Sequence, residues 1–416
     1  MAAAATLAEQ CIPVTVFEAA PELGGRARRV MHRDTTLDNG LHILIGAYTE
    51  TLRLIKLVNP AHAQALSRRP LEWRVHGEFS LAAARLPAPF HLLLGLLRAR
   101  GITVAEKFSA AIFLRAMRNN HYTLAQDISV DLLLRQNKQS EKLCRVLWRP
   151  LCVAALNTPP AIASAQVFLH VLRDSLDANA AASDIVLARV DLSALFPEPA
   201  AAYVEQRGGA VLRSRRVMAI DPLDDSFEIE AGGRRAAFSH VICALSAHQV
   251  NAFLIGITAL TDVADTIARL RYQPIYSVWL QYPAPVPLPA PMLGLDHSLI
   301  HWVFDRATLC GQQGLVGAVI SAEGDHQKLA QDELGLRVHQ ELKHRVRDLP
   351  DPLWTRVIAE KRATFACIPG VRRPAQVTPL RNFYLAGDYT AGDYPATLES
   401  AVRSGMTCAQ HILRQR

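Results

Sequence analysis

The sequence lacks most of the short signatures by which metal and redox sites are recognised. Its seven cysteines never form a C-x-x-C pair and no H-E-x-x-H occurs, so no metal site is expected. An odd, unpatterned set of cysteines is typical of a reduced compartment. The N-terminus shows no charged segment followed by an apolar core, so we expect no signal peptide and a cytoplasmic protein.

Long apolar runs and a strong charge bias are also missing. No 18 uncharged apolar residues run together, so no transmembrane helix is expected. The chain of 416 residues is 50% hydrophobic and 20% charged, which indicates a globular protein whose length favours two domains. Its net charge of +7 comes mainly from scattered arginines. No nucleic-acid motif accompanies them, which disfavours nucleic acid and leaves a solvated surface or an anionic membrane.

Hydrophobic periodicity predicts a helix at residues 1–10, followed by a buried strand at 12–18 that ends on an acid. A strand-rich stretch from 208 to 247 includes one β-run at 211–220. Near the C-terminus an apolar strand at 383–386 precedes a last helix. The intervening segments are helical, as at 90–118, or mix strands with a helix, as at 262–365. This order predicts one composite α/β domain that is interrupted twice by a second domain.

The N-terminal segment contains part of a dinucleotide-binding unit. Such a unit needs a strand, a G-x-G-x-x-G turn into a helix, and a second strand whose terminal acid binds ribose. The helix, the second strand and its acid, Glu18, are present, whereas the first strand and the three glycines are not. We therefore hypothesise that Met1 is an internal methionine and that the missing parts lie about 15 to 20 residues upstream. An in-frame stop codon directly before Met1 would contradict this.

Glycine-containing motifs follow at two places. Gly24-Gly25-Arg26 begins six residues after Glu18, where it is either a surface turn or a close backbone approach with a cation for phosphates. The string from Leu37 to Tyr48 then carries Gly40, His42 and Gly46, whose glycines also permit close approach. Alone, His42 would be an ordinary loop histidine.

A further motif lies near the C-terminus. Gly387 and Asp388 follow the apolar strand, and Pro395, Ala396, Thr397 and Leu398 begin the last helix. A proline at a helix start pre-sets the first turn and leaves backbone amide donors free. Those amides, at the positive end of a helix, suit the electron-rich edge of a bound ring.

Together these motifs resemble the FAD-dependent amine-oxidase/desaturase superfamily. The string 37–48 and the segments 148–168 and 191–199 resemble hydroxysqualene dehydroxylases more than amine oxidases, although Leu41 replaces their usual Gln. The resemblance spans essentially the whole chain. It implies an α/β fold in which an FAD-binding Rossmann-like domain is interleaved with a mixed α+β substrate domain. The implied FAD-binding segments are 1–60, 195–260 and 366–416, and the substrate-binding segments are 61–194 and 261–365.

The resemblance also implies which residues bind FAD. Glu18 would bind the ribose, and Gly24, Gly25 and Arg26 would lie at the phosphates. Gly40, His42 and Gly46 would pack against the flavin. The remaining residues are Gly387 and Asp388 at the ribityl or pyrophosphate region, and Pro395, Ala396, Thr397 and Leu398 at the isoalloxazine. Val217 would bracket the adenine, or is an ordinary strand residue.

The implied activity is the FAD-dependent reductive dehydroxylation of hydroxysqualene, a C30 polyisoprenoid, to squalene in hopanoid biosynthesis. The leaving hydroxyl needs a proton donor, and Asp38, His42 and Tyr48 are candidates by position. The external reductant for FAD is unspecified. The alternatives are a polyene desaturase or an amine oxidase on the same scaffold, or a non-catalytic lipid-binding relative.

A C30 polyene dissolves in membranes, so we expect peripheral association with the inner face of the cytoplasmic membrane. The segment 86–97, with Arg98 and Arg100 after it, is apolar and flanked by cations. It is either a membrane dock or a buried helix of the substrate domain.

Overall fold

The computed structural model describes residues 1–415, and its N-terminal part alternates short helices with short strands. The predicted helix at 1–10 and strand at 12–18 are confirmed, the strand in a shorter form. In chain order the elements are α1 (Ala2–Glu9), β1 (Thr15–Phe17), β2 (Arg29–His32), β3 (Thr35–Asp38), β4 (Leu44–Ile45), α2 (Thr49–Val58), α3 (His62–Ala65), β5 (Leu66–Arg69), β6 (Glu72–Val75) and β7 (Phe79–Ala82).

The middle of the chain is mostly helical. Its elements are α4 (Phe90–Arg98), α5 (Val104–Asn119), α6 (Val130–Gln136), α7 (Glu141–Leu143), α8 (Arg149–Leu156), α9 (Ala165–Leu172), β8 (Ile185–Ala188), α10 (Leu192–Leu195) and α11 (Pro197–Gln206). The helical segment predicted at 90–118 forms two helices, because Gly101 has a φ of +90° and Thr103 begins α5 with a capping box.

The C-terminal half supplies most of the strands. Its elements are β9 (Ala210–Leu212), β10 (Val217–Pro222), β11 (Phe227–Ala231), β12 (Arg234–Phe238), β13 (Val241–Cys243), α12 (Ala247–Leu254), α13 (Thr261–Ala268), β14 (Tyr272–Gln281), β15 (Met292–Gly294), β16 (Trp302–Asp305), α14 (Arg306–Cys310), β17 (Leu315–Ser321), α15 (Gln331–Lys343), β18 (Trp354–Phe365), β19 (Phe383–Leu385) and α16 (Leu398–Arg414). The single β-run predicted at 211–220 is wrong, because Ser214 turns the chain with a φ of +53° and β10 joins a different sheet from β9.

The strands of residues 1–415 form six sheets, and three of these define the layout of the fold. β1 pairs in parallel with β9, and β13 pairs in parallel with β19. A seven-stranded sheet has the order β18-β14-β17-β16-β15-β6-β7 and is antiparallel except between β15 and β6. The parallel pairs come from the predicted FAD-binding segments and the large sheet from the predicted substrate-binding segments. The exact division into domains stays a prediction.

Two helices from opposite ends of the chain pack closely beside the parallel strands. A Cβ atom at Gly405 of α16 would lie 3.1 Å from the backbone nitrogen of Ala3 in α1, so the absence of a side chain allows this close approach. The fully buried Ala5 and Ala409 belong to the apolar clusters on either side. This packing fixes α16, whose first turn lies at the candidate site.

Candidate functional site

An ion pair joins the motif near the N-terminus to the motif near the C-terminus. Nη2 of Arg26 donates a hydrogen bond to Oδ1 of Asp388 at 2.6 Å, and Arg26 also donates to the carbonyl of Ala363. Gly24 and Gly25, with φ angles of +117° and +58°, make the turn that presents Arg26. A Cβ at Gly25 would meet no atom within 4 Å, so open space lies beside this turn.

The Gly387–Asp388 turn is fixed by the last helix. The backbone N–H of Gly387 donates to Oγ of Ser404 at 2.8 Å. A Cβ at Gly387 would come within 2.4 Å of the Tyr389 ring, so this position requires glycine. Tyr389 is only 2% exposed, and its hydroxyl has no hydrogen-bond partner in residues 1–415. Burial raises the pKa of Tyr389 well above its usual value, so its hydroxyl keeps its proton.

The first turn of α16 has free backbone donors. Oγ1 of Thr397 accepts a hydrogen bond from the backbone N–H of Ser400 at 3.2 Å, which caps the helix. The amides of Leu398 and Glu399 have no acceptor within the helix. Tyr48 contacts Thr397 here, and burial raises the pKa of Tyr48 against the effect of this contact. The site therefore has a positive helix end and a protonated phenol side by side.

A buried carboxylate connects this helix end to α2. Glu399 has no exposed surface and accepts hydrogen bonds from the backbone N–H groups of Glu50 and Thr51, at 3.1 and 2.9 Å, and from the Thr51 hydroxyl at 2.7 Å. Arg403 donates to the same carboxylate at 2.7 Å. Glu399 thus caps α2 while it belongs to α16.

His42 lies between the turn at Arg26 and a small cavity. A Cβ at Gly40 would be 3.0 Å from Nε2 of His42, so the glycine makes room for the imidazole. Burial lowers the pKa of His42 to about 4; a hydrogen bond to the Arg26 carbonyl opposes this shift and the Arg26 charge adds to it. His42 is therefore neutral near pH 7.

Asp38 lies at the other side of that cavity. Its side chain is almost fully buried, and Oδ1 accepts a hydrogen bond from the backbone N–H of Leu192 at 2.8 Å. Nη2 of Arg306 is 3.6 Å from Oδ2. Burial raises the pKa of Asp38 to about 6, although Arg306 and the Leu192 amide favour the charged form. Near neutral pH a part of the molecules therefore carries a proton on Asp38.

The cavity between these side chains has a volume of about 20 Å³, which is room for about one water molecule. Apart from Asp38, His42 and Arg306 its walls are apolar. They are Leu41, Leu187, Ala188, Leu192, Phe304 and Leu309.

Arg306 is a site residue that no linear motif indicates. Its side chain is 5% exposed, and its Nε donates to Oε1 of Gln312 at 2.9 Å. Gln312 in turn donates to the carbonyl of Thr36 at 2.7 Å, just before Asp38 in the sequence. The guanidinium also faces the ring of Trp279 at 5.6 Å. Only the fold reveals this arrangement, because it brings Arg306, the first residue of α14, to Asp38, the last residue of β3.

Of the predicted residues only Asp38 and His42 line the cavity, and the contacts of Glu18, Val217 and Gly46 lie elsewhere. Oε1 of Glu18 accepts from the backbone N–H of Ala20 at 2.8 Å, and the Glu18 carbonyl accepts from Arg215, which brings Val217 near the end of β1. At Gly46 a Cβ would lie 1.7 Å from the carbonyl of Ala181. Packing against Ala181 therefore already explains this glycine.

A protein-family model described as flavin-containing amine oxidoreductase matches residues 1–413. The chain belongs to this family. Its cofactor is FAD, and the protein is an FAD-dependent oxidoreductase of the amine-oxidase superfamily. The resemblance drawn from the sequence motifs is thereby confirmed.

Several members of the family match the chain over nearly its full length. Hydroxysqualene dehydroxylases from Rhodopseudomonas palustris and Sinorhizobium fredii are each 28% identical, and cover 99% and 100% of this chain and 96% of each relative. A zeta-carotene desaturase from Zea mays is 25% identical and covers 99% of this chain and 81% of the relative.

A solved structure of an oxidoreductase from Methanosarcina mazei aligns with a TM-score of 0.76 at 15% identity, covering 98% of this chain and 97% of the other. At this sequence identity the structural match supports only the fold. The predicted α/β class is confirmed.

The described residues fit the family's cofactor. Open space adjoins Gly25, the Tyr389 hydroxyl has no partner within residues 1–415, and the first amides of α16 have no acceptor within the helix. Ribose, phosphates and a flavin ring require acids, cations and amide donors of these kinds. Which of these residues touch FAD stays a prediction.

Proposed function

We propose that this protein removes the hydroxyl group of hydroxysqualene to give squalene, a step of hopanoid biosynthesis. The observation that carries the proposal is Asp38, a buried carboxyl group beside a small cavity with mostly apolar walls. Removal of a hydroxyl group from a hydrocarbon chain requires a proton donor in apolar surroundings, and the full-length relatives named hydroxysqualene dehydroxylase support this choice.

The reaction needs a proton and two electrons. The C–O bond breaks, the oxygen leaves as water after it takes a proton, and the carbon takes a hydride. When bound, reduced FAD supplies this hydride and becomes oxidised. An external reductant, whose identity the proposal does not specify, must then reduce FAD again.

We assign the binding of FAD to the residues that carry the family motifs. Glu18 and Val217 would hold the adenosine end, and Arg26 and Asp388, with Gly24, Gly25 and Gly387, the phosphates and ribityl chain. Gly40, Gly46 and the turn Pro395–Ala396–Thr397–Leu398 would border the flavin. The domains would be 1–60, 195–260 and 366–416 for FAD, and 61–194 and 261–365 for the substrate.

Among the three candidate proton donors, Asp38 fits the reaction best. Its pKa of about 6 leaves a proton available near neutral pH, as general acid catalysis requires. His42 is neutral, and its N–H is used by the Arg26 carbonyl. Tyr48 lies at Thr397 and holds its proton tightly because burial raises its pKa. We assign His42 and Tyr48 to orienting hydrogen bonds at the site.

The test is an anaerobic assay with chemically reduced FAD and hydroxysqualene, in which squalene is measured by gas chromatography. We expect conversion by the protein and none by FAD alone. Bound flavin without any squalene would leave the family assignment intact and remove the proposed reaction.

A second candidate is a polyene desaturase, which the full-length match to a zeta-carotene desaturase favours. A desaturase removes hydrogen from its substrate and would reduce FAD. The same anaerobic cuvette distinguishes the two: a polyene that bleaches oxidised flavin supports desaturation, whereas hydroxysqualene that restores the yellow colour of reduced flavin supports dehydroxylation.

The proposed substrate places the enzyme at a membrane. A C30 polyene partitions into lipid, so we propose that the protein works on the inner face of the cytoplasmic membrane. Within residues 1–415 no helix is both long and apolar enough to cross a bilayer. Association would therefore have to be peripheral for these helices.

A further inference from the structure

Exposed apolar side chains are concentrated on one pair of helices. Sixteen large apolar side chains are exposed in residues 1–415, and seven of them lie between residues 86 and 112. We call these seven the apolar patch. They are Leu86, Phe90, Leu93, Leu97, Val104, Phe108 and Ile112. A cluster of this kind marks an interaction surface, whereas single exposed apolar residues do not.

The patch forms one stripe on α4 and one on α5. In α5, Val104, Phe108 and Ile112 recur every four residues and are 67%, 57% and 66% exposed. The opposite stripe of α5, which includes Phe113 and Met117, is buried in the core. The helix is therefore fixed by its inner face and apolar on both faces, unlike an ordinary surface helix.

α4 has the same arrangement. Phe90, Leu93 and Leu97 point outward, while Gly95 and Leu96 are buried. A Cβ at Gly95 would lie 2.6 Å from the carbonyl of Ala82, so the inner face of α4 sits directly on β7. The predicted alternative of a buried helix is thus wrong for its outer face.

The charges around the patch are almost all positive. Residues 82–118 contain six basic residues, Arg85, Arg98, Arg100, Lys107, Arg115 and Arg118, and one acid, Glu106. The carboxylate of Glu106 has partners within the protein, because it accepts hydrogen bonds from the Thr103 amide and the Ser140 hydroxyl at 2.8 and 2.7 Å. Residues 82–118 therefore carry a net charge of about +5, although Arg118 is paired with Asp177 at 3.3 Å.

We propose that the apolar patch docks on the surface of an anionic lipid bilayer. An apolar stripe with flanking cations is what a membrane-surface helix requires, and anionic headgroups complement the positive rim. A second copy of this chain would bring a surface of the same charge, which repels. The docking does not depend on the proposed reaction; its purpose, the uptake of a polyene, rests on that proposed function.

The same helices connect the patch to the site. Phe113 and Met117 belong to one apolar cluster with Leu187, Phe304 and Leu309, which line the cavity beside Asp38. The inner face of α5 and the walls of the cavity thus belong to the same apolar core.

The experiment is flotation of the protein with vesicles of phosphatidylcholine that contain about 30% phosphatidylglycerol. The triple variant Phe90→Ser/Phe108→Ser/Ile112→Ser should lose at least about 10-fold in vesicle partitioning. The matched control, Met218→Ser/Ile255→Ser/Leu353→Ser, changes side chains of equal exposure outside the patch and should lose less than about 2-fold. Added salt should weaken the binding of the unchanged protein.

The proposal is overturned if the unchanged protein does not float, or if both triple variants lose binding equally. It is also overturned if sedimentation shows a dimer that only the patch variant dissociates, since the patch would then join two copies. Turnover of hydroxysqualene in detergent separates this proposal from the proposed function. A patch variant active in detergent but not with vesicles supports docking, and a protein that floats but is inactive in detergent loses only the reaction.

Discussion

Two buried aspartates in this protein each face an arginine, and the two pairs are built differently. Asp388 and Arg26 are in direct contact at 2.6 Å, and the pair joins two glycine turns from opposite ends of the chain. Asp38 and Arg306 are 3.6 Å apart, and a cavity lies beside them. The closer pair is suited to hold backbone in place, whereas the looser pair leaves Asp38 with a pKa of about 6. At Asp38 the effect of burial, which disfavours the charged form, outweighs the attraction of Arg306.

The sharpest test of this difference is the variant Asp38→Asn. Asparagine keeps the hydrogen bond from Leu192 but cannot donate a catalytic proton, so the rate of squalene formation should fall at least about 100-fold. Flavin binding, read from absorbance, should persist. Asp34→Asn, in the exposed turn between β2 and β3, is the control and should keep full activity. Full turnover by Asp38→Asn would remove Asp38 as the acid.

The Asp388→Asn variant should mainly lose stability and FAD affinity, whereas Asp38→Asn should mainly lose rate. It leaves Arg26, whose side chain is one-third exposed, without its partner, so we expect unfolding free energy to fall by about 1 to 2 kcal/mol. The dissociation constant of FAD should rise about 10-fold, which titration followed by flavin fluorescence measures. If Asp388→Asn bound FAD as tightly as the unchanged protein, the pair would have no role at the cofactor.

The pH dependence of kcat/KM should report the pKa of Asp38 and the effect of Arg306 on it. Since the protonated form of Asp38 is the active one, the rate should be high at low pH and fall as pH rises through about 6. Arg306→Met removes a positive charge that favours the carboxylate, so the pKa of Asp38 rises and the fall moves to higher pH. Arg337→Met, on the exposed side of α15, should leave the profile in place. A profile that moves to lower pH in Arg306→Met would contradict the assignment.

The smallest effect is expected at Gln312. Gln312→Ala removes the acceptor that holds Nε of Arg306, so the pH profile should move in the same direction as in Arg306→Met but less. Thermal unfolding should report a loss of about 1 kcal/mol, typical of one hydrogen bond. Gln313→Ala is the neighbouring exposed control. Equal behaviour of the two glutamine variants would show that Arg306 needs no support.

The same comparison shows what the sequence could predict. Gly24-Gly25-Arg26 and Gly387-Asp388 are linear motifs, and each is recognisable because a few adjacent residues determine a turn. α1, β1 and α16 were likewise predictable from local periodicity. Arg306 carries no such signal, because its role arises only when the fold brings the start of α14 to Asp38. A contact between residues so far apart in the sequence produces no recognisable motif in the chain.

The prediction of local structure from the sequence was also wrong at one place. The segment 211–220 has the composition of a continuous strand, but Ser214 adopts a left-handed conformation without a glycine to indicate it. The segment 86–97 left a membrane dock and a buried helix as alternatives for a different reason. A helix that is apolar on two opposite faces resembles a buried helix in a sequence, and only the exposure of Phe90 separates the two cases.

The position of Glu399 in the chain also determines when α2 can be capped during protein synthesis. It satisfies the first amides of α2, yet it is 348 residues further along the chain than Thr51. At about 5 to 20 residues per second, a ribosome needs roughly 20 to 70 s to reach it. During that interval the N-terminal turns are made but their partners are not. On the proposed assignment of the first turn of α16 to the flavin, the complete cofactor site would form only after α16 has left the ribosome.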